Sequence, residues 1–80
     1  MGPGGKRIKL LGFDSAAKID DIFASAMVDV AYIDKVTADT IFVVPDRVNL
    51  ADPVEVDWLF DVIKETLRKH GITGVEMRLE

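Results

Sequence analysis

Residues 52–72 read DPVEVDWLFDVIKETLRKHGI and contain the start, the buried face and the end of a single helix. The carboxylate of Asp52 can accept a hydrogen bond at the N-cap of this helix. A proline at the first helical position and a glutamate three residues after the cap are further signals of a helix start. Gly71 suits the left-handed position that often follows a helix, and Ile72 can then fold back on Leu67. Apolar residues at helical spacing predict the buried stripe: Val56, Leu59, Phe60, Ile63 and Leu67.

The rest of the chain supplies one further helical pattern and four strand patterns. A first helix over 15–27 is predicted by apolar residues that lie three or four apart: Ile19, Ile22, Phe23 and Ala26. Runs that alternate or are rich in β-branched and aromatic residues predict strands over 6–13, 28–33, 38–44 and 75–80. We expect a turn at 34–37 between the second and third strands. The alternative is a turn at Ala38-Asp39, which would lengthen the second strand.

The predicted order of elements is strand, helix, strand, strand, helix, strand. Two helices packed on one face of a four-stranded antiparallel sheet accommodate this order most economically, which is the α+β ferredoxin-like βαββαβ arrangement. Right-handed crossovers place the first and third strands in the middle and leave the strand over 28–33 at an edge. The predicted core is Ile8, Leu10, Ile19, Ile22, Phe23, Val30, Leu59, Ile63, Leu67, Val75 and Met77.

Length and composition restrict the protein to one small domain. The chain has 80 residues, of which 49% are apolar, and this supports a single modest core over residues 6–80. Residues 1–5 are expected to form a flexible leader. Without an apolar stretch typical of a signal peptide or a membrane span, we expect a cytoplasmic location and no membrane partner. The net charge of −4 argues against a protein whose main task is to neutralise phosphates.

Residue types also argue against most catalytic and metal-binding chemistry. The chain has no cysteine and one histidine, His70, so neither a thiolate site nor a two-histidine metal site can form within it. Ser15 and Ser25 are the only serines, and neither lies in a nucleophile motif. The carboxylates lack the alternate spacing of a calcium loop, and no glycine-rich phosphate loop is present. We therefore predict no enzymatic activity, no cofactor and no bound metal.

The segment over 6–44 contains two short stretches that match the strand motifs of a known family. The stretch IKLLGF at 8–13 resembles the first-strand motif of RNA-recognition-motif domains, and TIFV at 40–43 resembles part of their third-strand motif. Such domains have the ferredoxin-like fold and stack RNA bases on aromatic residues of the open sheet face. Here Lys9 occupies the first-strand aromatic position, and only Phe42 matches an aromatic position. The resemblance therefore implies the fold more than it implies RNA binding.

Trp58 is the most informative single residue, because it falls opposite the predicted buried stripe of the second helix. Val54 and Val62 lie four residues before and after it and would extend an apolar strip along this outer face. Tryptophan with apolar neighbours often anchors a protein contact, so we predict a partner-binding surface at Val54, Trp58 and Val62. The alternative is that the loop over 48–50 folds over Trp58 and buries it within the chain.

These patterns favour a small protein-interaction or assembly module that binds another protein, or a second copy of itself, through the second helix. The open sheet face is a further candidate surface, expected to bear Lys9, Ala31, Ile33 and Phe42. The free edge over 28–33 ranks below the helix, because acidic residues within and after it discourage strand pairing.

The alternative function is that of a domain that binds RNA or another single-stranded nucleic acid. The acidic net charge and the missing first-strand aromatic residue place it second. Nucleic-acid binding would require a positive patch on the sheet formed by Lys6, Arg7, Lys9 and Arg78.

Overall fold

The structure is a computed structural model and describes residues 7–79. Within that range it contains the predicted elements in the predicted order: β1 (Ile8–Leu11), α1 (Ala16–Ala26), β2 (Ala31–Val36), β3 (Thr40–Pro45), α2 (Pro53–Lys69) and β4 (Glu76–Leu79). The predicted leader over 1–5 lies outside the described residues, as do Lys6 and Glu80. Among the residues that are described, no helix has the length and apolarity that crossing a membrane requires.

The four strands form one antiparallel sheet in the order β2-β3-β1-β4. β1 lies in the centre, where Ile8 pairs with Val43 of β3 on one side and with Leu79 of β4 on the other. β2 and β4 form the two edges. This arrangement confirms the predicted ferredoxin-like fold, including the central positions of the first and third strands.

Both helices pack on the same face of this sheet. The strand residues that face them join the buried residues of both helices in one cluster: Ile8, Leu10, Ala31, Ile41 and Val43 with Ile19, Ile22, Phe23, Leu59, Ile63 and Leu67. Because neighbours along a strand point to opposite faces, the alternate residues Lys9 and Phe42 face away from the helices. The other face of the sheet is therefore open.

Three predicted core residues are only partly buried. Met77 belongs to the edge strand β4, Val75 directly precedes that strand, and Val30 lies in the turn ahead of β2, so each packs against the cluster but keeps contact with solvent. The other predicted core residues are buried. Enclosed residues that the core prediction omitted are Met27, Ala31, Ile41, Val43 and, on the predicted stripe of α2, Val56.

The second strand begins later than predicted. The chain leaves α1 through a turn in which the backbone N–H groups of Val30 and Ala31 both donate to Met27 O, at 2.9 and 3.0 Å. Residues 28–30 belong to this turn, and the prediction of a strand over 28–33 is therefore wrong at its start.

The hairpin turn between β2 and β3 lies at Ala38-Asp39, the alternative to the favoured position at 34–37. Thr37 N–H donates to Thr40 O at 2.8 Å, and Thr37 Oγ1 accepts from Thr40 N–H at 3.1 Å, which closes the turn. β2 therefore extends to Val36, as that alternative required.

The start of α2 is capped as predicted, with one difference. Asp52 Oδ1 accepts from Val54 N–H at 2.9 Å. Glu55 does not complete a capping box with Asp52, because its carboxylate accepts from Asn49 N–H at 3.1 Å and Asp52 N–H donates to Asn49 O. The glutamate therefore holds the loop that leads into the helix.

The end of α2 is the predicted Schellman motif. Ile72 N–H donates to Leu67 O and Gly71 N–H donates to Arg68 O, both at 2.9 Å. Gly71 has φ = +81°, a left-handed conformation that glycine adopts readily because it has no Cβ to clash with the backbone. Ile72 packs against the core, and this fixes the direction in which the chain returns toward β4.

Candidate functional site

The outer face of α2 leaves two of its three predicted binding residues exposed. Val54 is 76% exposed and Trp58 is 52% exposed, one helical turn apart. Val62, a further turn along, is half-buried and packs against the core cluster. The exposed surface is therefore shorter than predicted, and we call Val54 and Trp58 the Trp58 patch.

The loop ahead of α2 covers Trp58 only in part. Val48 and Leu50 of this loop pack against the core, and Val48 and Trp58 line one hollow of about 310 Å³ together with Val30. Asp29, Arg47 and Glu55 complete its rim. About half of the tryptophan still faces solvent, so the loop does not bury it as the alternative interpretation supposed.

Phe42 lies in the middle of the open sheet face, as predicted. It pairs with Lys9 across β1 and β3. The guanidinium carbon of Arg7 lies 4.2 Å from the centre of its ring, and the Lys9 ammonium lies 5.9 Å from it. Two cations therefore lie within cation–π range of Phe42, the one residue at which the sequence matches an aromatic position of the family motif.

Ile33 and Ala31 do not belong to the open face, and their predicted placement there is wrong. Ile33 pairs with Val43, which is fully buried, and directly paired residues share a face of the sheet. Ile33 accordingly packs against the core, and Ala31 is 1% exposed. Tyr32 faces outward instead and is 53% exposed.

Positively charged side chains lie together on the open face, although the chain as a whole has a net charge of −4. Cross-strand pairing sets Arg78 beside Lys9 and, across a bulge, Lys35 beside Phe42. We call this surface the basic face: Arg7, Lys9, Lys35 and Arg78 around Phe42. Two carboxylates partly neutralise it, because Asp34 accepts from Arg7 at 3.1 Å and Glu76 accepts from Arg78 at 2.6 Å. Among the residues whose structure is described, three of the four cations expected to form a positive patch thus share one face.

A groove between α2 and β4 was not predicted from the sequence. Two hollows of about 310 and 560 Å³ adjoin each other, because both are lined by Lys64, Val75 and Met77. Phe60 adds a further apolar wall, and the charged residues along the helix side are Asp57, Asp61, Lys64 and Arg68. We call this surface the α2–β4 groove. The sequence feature related to this groove is the alternation of apolar and charged residues over 75–79. The alternation predicts which side of the sheet each residue faces, but it does not predict that the strand lies at an edge of the sheet.

The titrating groups with a clear shift form an exposed pair on α2. A hydrogen bond from the Arg68 guanidinium is the main cause that holds the pKa of Glu65 below its ordinary value, and the same bond raises the pKa of Arg68. Partial desolvation opposes both shifts.

At the end of the same helix, His70 Nδ1 lies 2.9 Å from Thr66 O. Within 7–79, no three histidine or carboxylate side chains converge as a metal site would require.

The described residues thus form three candidate surfaces: the Trp58 patch, the basic face and the α2–β4 groove. The resemblance of residues 6–44 to RNA-recognition-motif domains stays a prediction. No family model matches the chain, and comparisons with curated proteins and with solved structures gave no significant match.

Proposed function

We propose that the protein is a non-enzymatic interaction module that binds another protein through the Trp58 patch. The observation that carries this proposal is the 52% exposure of Trp58 beside Val54, which is 76% exposed. Tryptophan is enriched among the residues that dominate binding energy at interfaces. An aromatic side chain buries about 150–250 Å², so covering the exposed half would contribute about 2–3 kcal/mol at roughly 25 cal/mol per Å².

The surroundings of Trp58 suit a protein partner. The hollow beside it has an apolar floor from Val30 and Val48, which an apolar side chain of a partner can fill. Charged residues surround this floor: Asp29, Arg47 and Glu55. An apolar centre within a polar rim is the usual organisation of interfaces between proteins that also exist apart.

Site-specific photo-crosslinking tests this proposal. A photoreactive phenylalanine analogue placed at Val54 lies next to Trp58, whereas the same analogue at Lys69 samples the far end of α2. In lysate of the native cells we expect a defined crosslinked protein from position 54 and not from position 69. The additional substitution Trp58→Ala should remove that product, because it removes the anchor.

Identical products from the two positions would contradict the proposal, as would a product at position 54 that survives Trp58→Ala. Circular dichroism of each variant establishes that the fold is retained. Tryptophan emission adds a second measurement, because a half-exposed Trp58 emits at longer wavelength than a buried one and shifts to shorter wavelength when a partner covers it.

A second candidate function, binding of single-stranded nucleic acid, is favoured by the basic face. Lys9 and Arg78 sit directly opposite each other on adjacent strands and next to Phe42, so positive charge and an aromatic ring coincide. Stacking of a cation such as Arg7 on an aromatic ring at a solvent-accessible site contributes about 0.5–1 kcal/mol, whereas stacking of a base contributes about 1–3 kcal/mol. A base could therefore displace the guanidinium from Phe42.

An RNA titration separates the two candidates. If the basic face binds nucleic acid, labelled single-stranded RNA should bind at low ionic strength with a steep loss of affinity as salt increases. Lys9→Glu should abolish the binding, while Lys64→Glu on α2 makes the same charge change away from the sheet face and should retain most of it. Absence of binding, or equal losses in the two variants, would remove this candidate.

A further inference from the structure

We propose that the α2–β4 groove is an interface between two copies of this chain, joined through their β4 strands into one continuous sheet. The proposal rests on the proposed function in that it names a second copy as a partner of the interaction module. It uses a surface distinct from the Trp58 patch, which lies on the outer face of α2.

The core side of β4 is left uncovered by its own chain. Val75 and Met77 are half-buried and Leu79 is 39% exposed, although all three alternate as residues of a buried face do. β4 is an edge strand that pairs only with β1 within the described chain, so its outer backbone groups are directed away from the sheet. Apolar side chains and an available edge therefore occur at the same place.

The side chains of β4 select one register for pairing with a second copy. A two-fold axis normal to the sheet keeps the helices of both copies on the same side of the joined sheet. Each residue of one β4 strand then lies opposite a residue of the second copy that faces the same side of the sheet. Centring the pair on Glu76 or on Arg78 sets identical charges opposite each other, which is unfavourable. Centring it on Met77 sets Glu76 opposite Arg78 of the second copy, at both ends of the pair.

The same register covers the exposed apolar residues. Met77 then lies opposite Met77 of the second copy, and Val75 lies opposite Leu79 of the second copy. These are the residues that the alternation predicts to be buried and that the single chain leaves in contact with solvent. The pairing thus completes the burial that the sequence pattern indicates.

The charges along α2 are complementary under the same symmetry. Asp57 and Asp61 line the first half of the groove, and Lys64 and Arg68 line the second half. The same two-fold axis, which passes between the paired β4 strands at Met77, makes the two α2 helices antiparallel, so the acidic half of one faces the basic half of the other. An interface between two copies must be self-complementary in this way, and two independent elements, the strand and the helix, both satisfy the condition.

Charge reversal on β4 tests the register directly. Glu76→Arg makes the outer positions of the strand all basic, and Arg78→Glu makes them all acidic. In sedimentation equilibrium from micromolar to millimolar concentration, we expect the wild type to form dimers. Each single variant should dissociate at least tenfold more readily, because like charges then face each other. An equimolar mixture of the two variants should form a heterodimer, because every facing pair is then of opposite charge.

The controls separate this interface from other effects. Asp20→Arg makes the same charge change on the exposed side of α1 and should dimerise as the wild type does. Circular dichroism establishes that every variant is folded. A wild type that stays monomeric at millimolar concentration, or a mixture that forms no heterodimer, would overturn the proposal. Loss of the dimer in Trp58→Ala but not in the β4 variants would also overturn it, while leaving the proposed function in place.

Discussion

Ile63 shows how much a single enclosed side chain contributes to a domain of this size. It has no solvent exposure and belongs to the cluster that joins α2 to the sheet. Small domains are stabilised by only about 5–15 kcal/mol in total, so removal of one such side chain takes away a large part of the free energy of unfolding.

We expect Ile63→Ala to lower the free energy of unfolding by about 2–5 kcal/mol, because the cavity it leaves is filled only in part by its neighbours. Urea denaturation followed by circular dichroism measures this change. The matched control is Val54→Ala on the exposed side of the same helix, which should change the free energy by less than about 0.5 kcal/mol. Similar losses in the two variants would show that the buried face of α2 is assigned incorrectly.

Two glycines differ in what a side chain would meet. Gly12 and Gly71 both have positive φ, at +75° and +81°. A Cβ at Gly12 would lie 3.3 Å from Gly74 O, whereas nothing lies within 4 Å of a Cβ at Gly71. At Gly71 the penalty is conformational only, but at Gly12 a backbone oxygen must also move.

We therefore expect Gly71→Ala to lower the free energy of unfolding by about 1–2 kcal/mol, the usual penalty of a left-handed conformation. Gly12→Ala should lower it by more, since the contact with Gly74 O is added to the same penalty. Thermal or urea denaturation of both variants decides the order. A smaller loss at Gly12 than at Gly71 would contradict it.

At the scale of the element, α2 combines signals that all lie within its own sequence. A side-chain cap starts it, a Schellman motif ends it, and the exposed pair Glu65–Arg68 lies in its last turns. The pair has a defined effect on titration but a small effect on stability, because both side chains are exposed and screened by solvent.

The titration of Glu65 is a pH prediction with a definite sign. Its pKa is lowered in the folded state, chiefly by the hydrogen bond from Arg68, so the small stabilisation is present above the unfolded pKa and is lost as the pH falls through the folded pKa. An NMR titration of the Glu65 carboxyl carbon should give a midpoint below the ordinary value of 4.5. Arg68→Met should raise that midpoint, whereas Arg47→Met should not. An unchanged midpoint in Arg68→Met would show that the pair does not form in solution.

At the scale of the whole molecule, one cluster connects both helices and the sheet. Its members come from α1 and its C-cap residue Met27, from α2 and from the strands β1, β2 and β3. A single core of this kind cannot lose one element without exposing the side chains of the others, so unfolding should be cooperative.

We expect Trp58 emission and far-ultraviolet circular dichroism to report the same unfolding midpoint in urea. The tryptophan reports on α2 and the loop ahead of it, while the dichroism reports on all of the helices and strands, so coincident curves indicate one cooperative unit. Midpoints that differ beyond error would show that α2 unfolds separately from the sheet and would contradict the single-domain organisation.

The sequence by itself determined α2 and the fold class. Asp52, Gly71 and Ile72 act within one or two turns of the helix, so the interactions that set its ends are local and can be read from neighbouring residues. The order of elements then left one economical topology, which the sheet order confirms.

Only the tertiary structure decided which face the residues of β2 occupy. The segment over 28–33 has a strand pattern in either register, and the turn at Met27 together with pairing to Val43 placed Ile33 in the core rather than on the open face. Pairing across all four strands likewise assembled the basic face around Phe42. A helix satisfies its own backbone, whereas a strand is completed by partners far away in the chain, and a shift of one residue in that pairing exchanges its two faces.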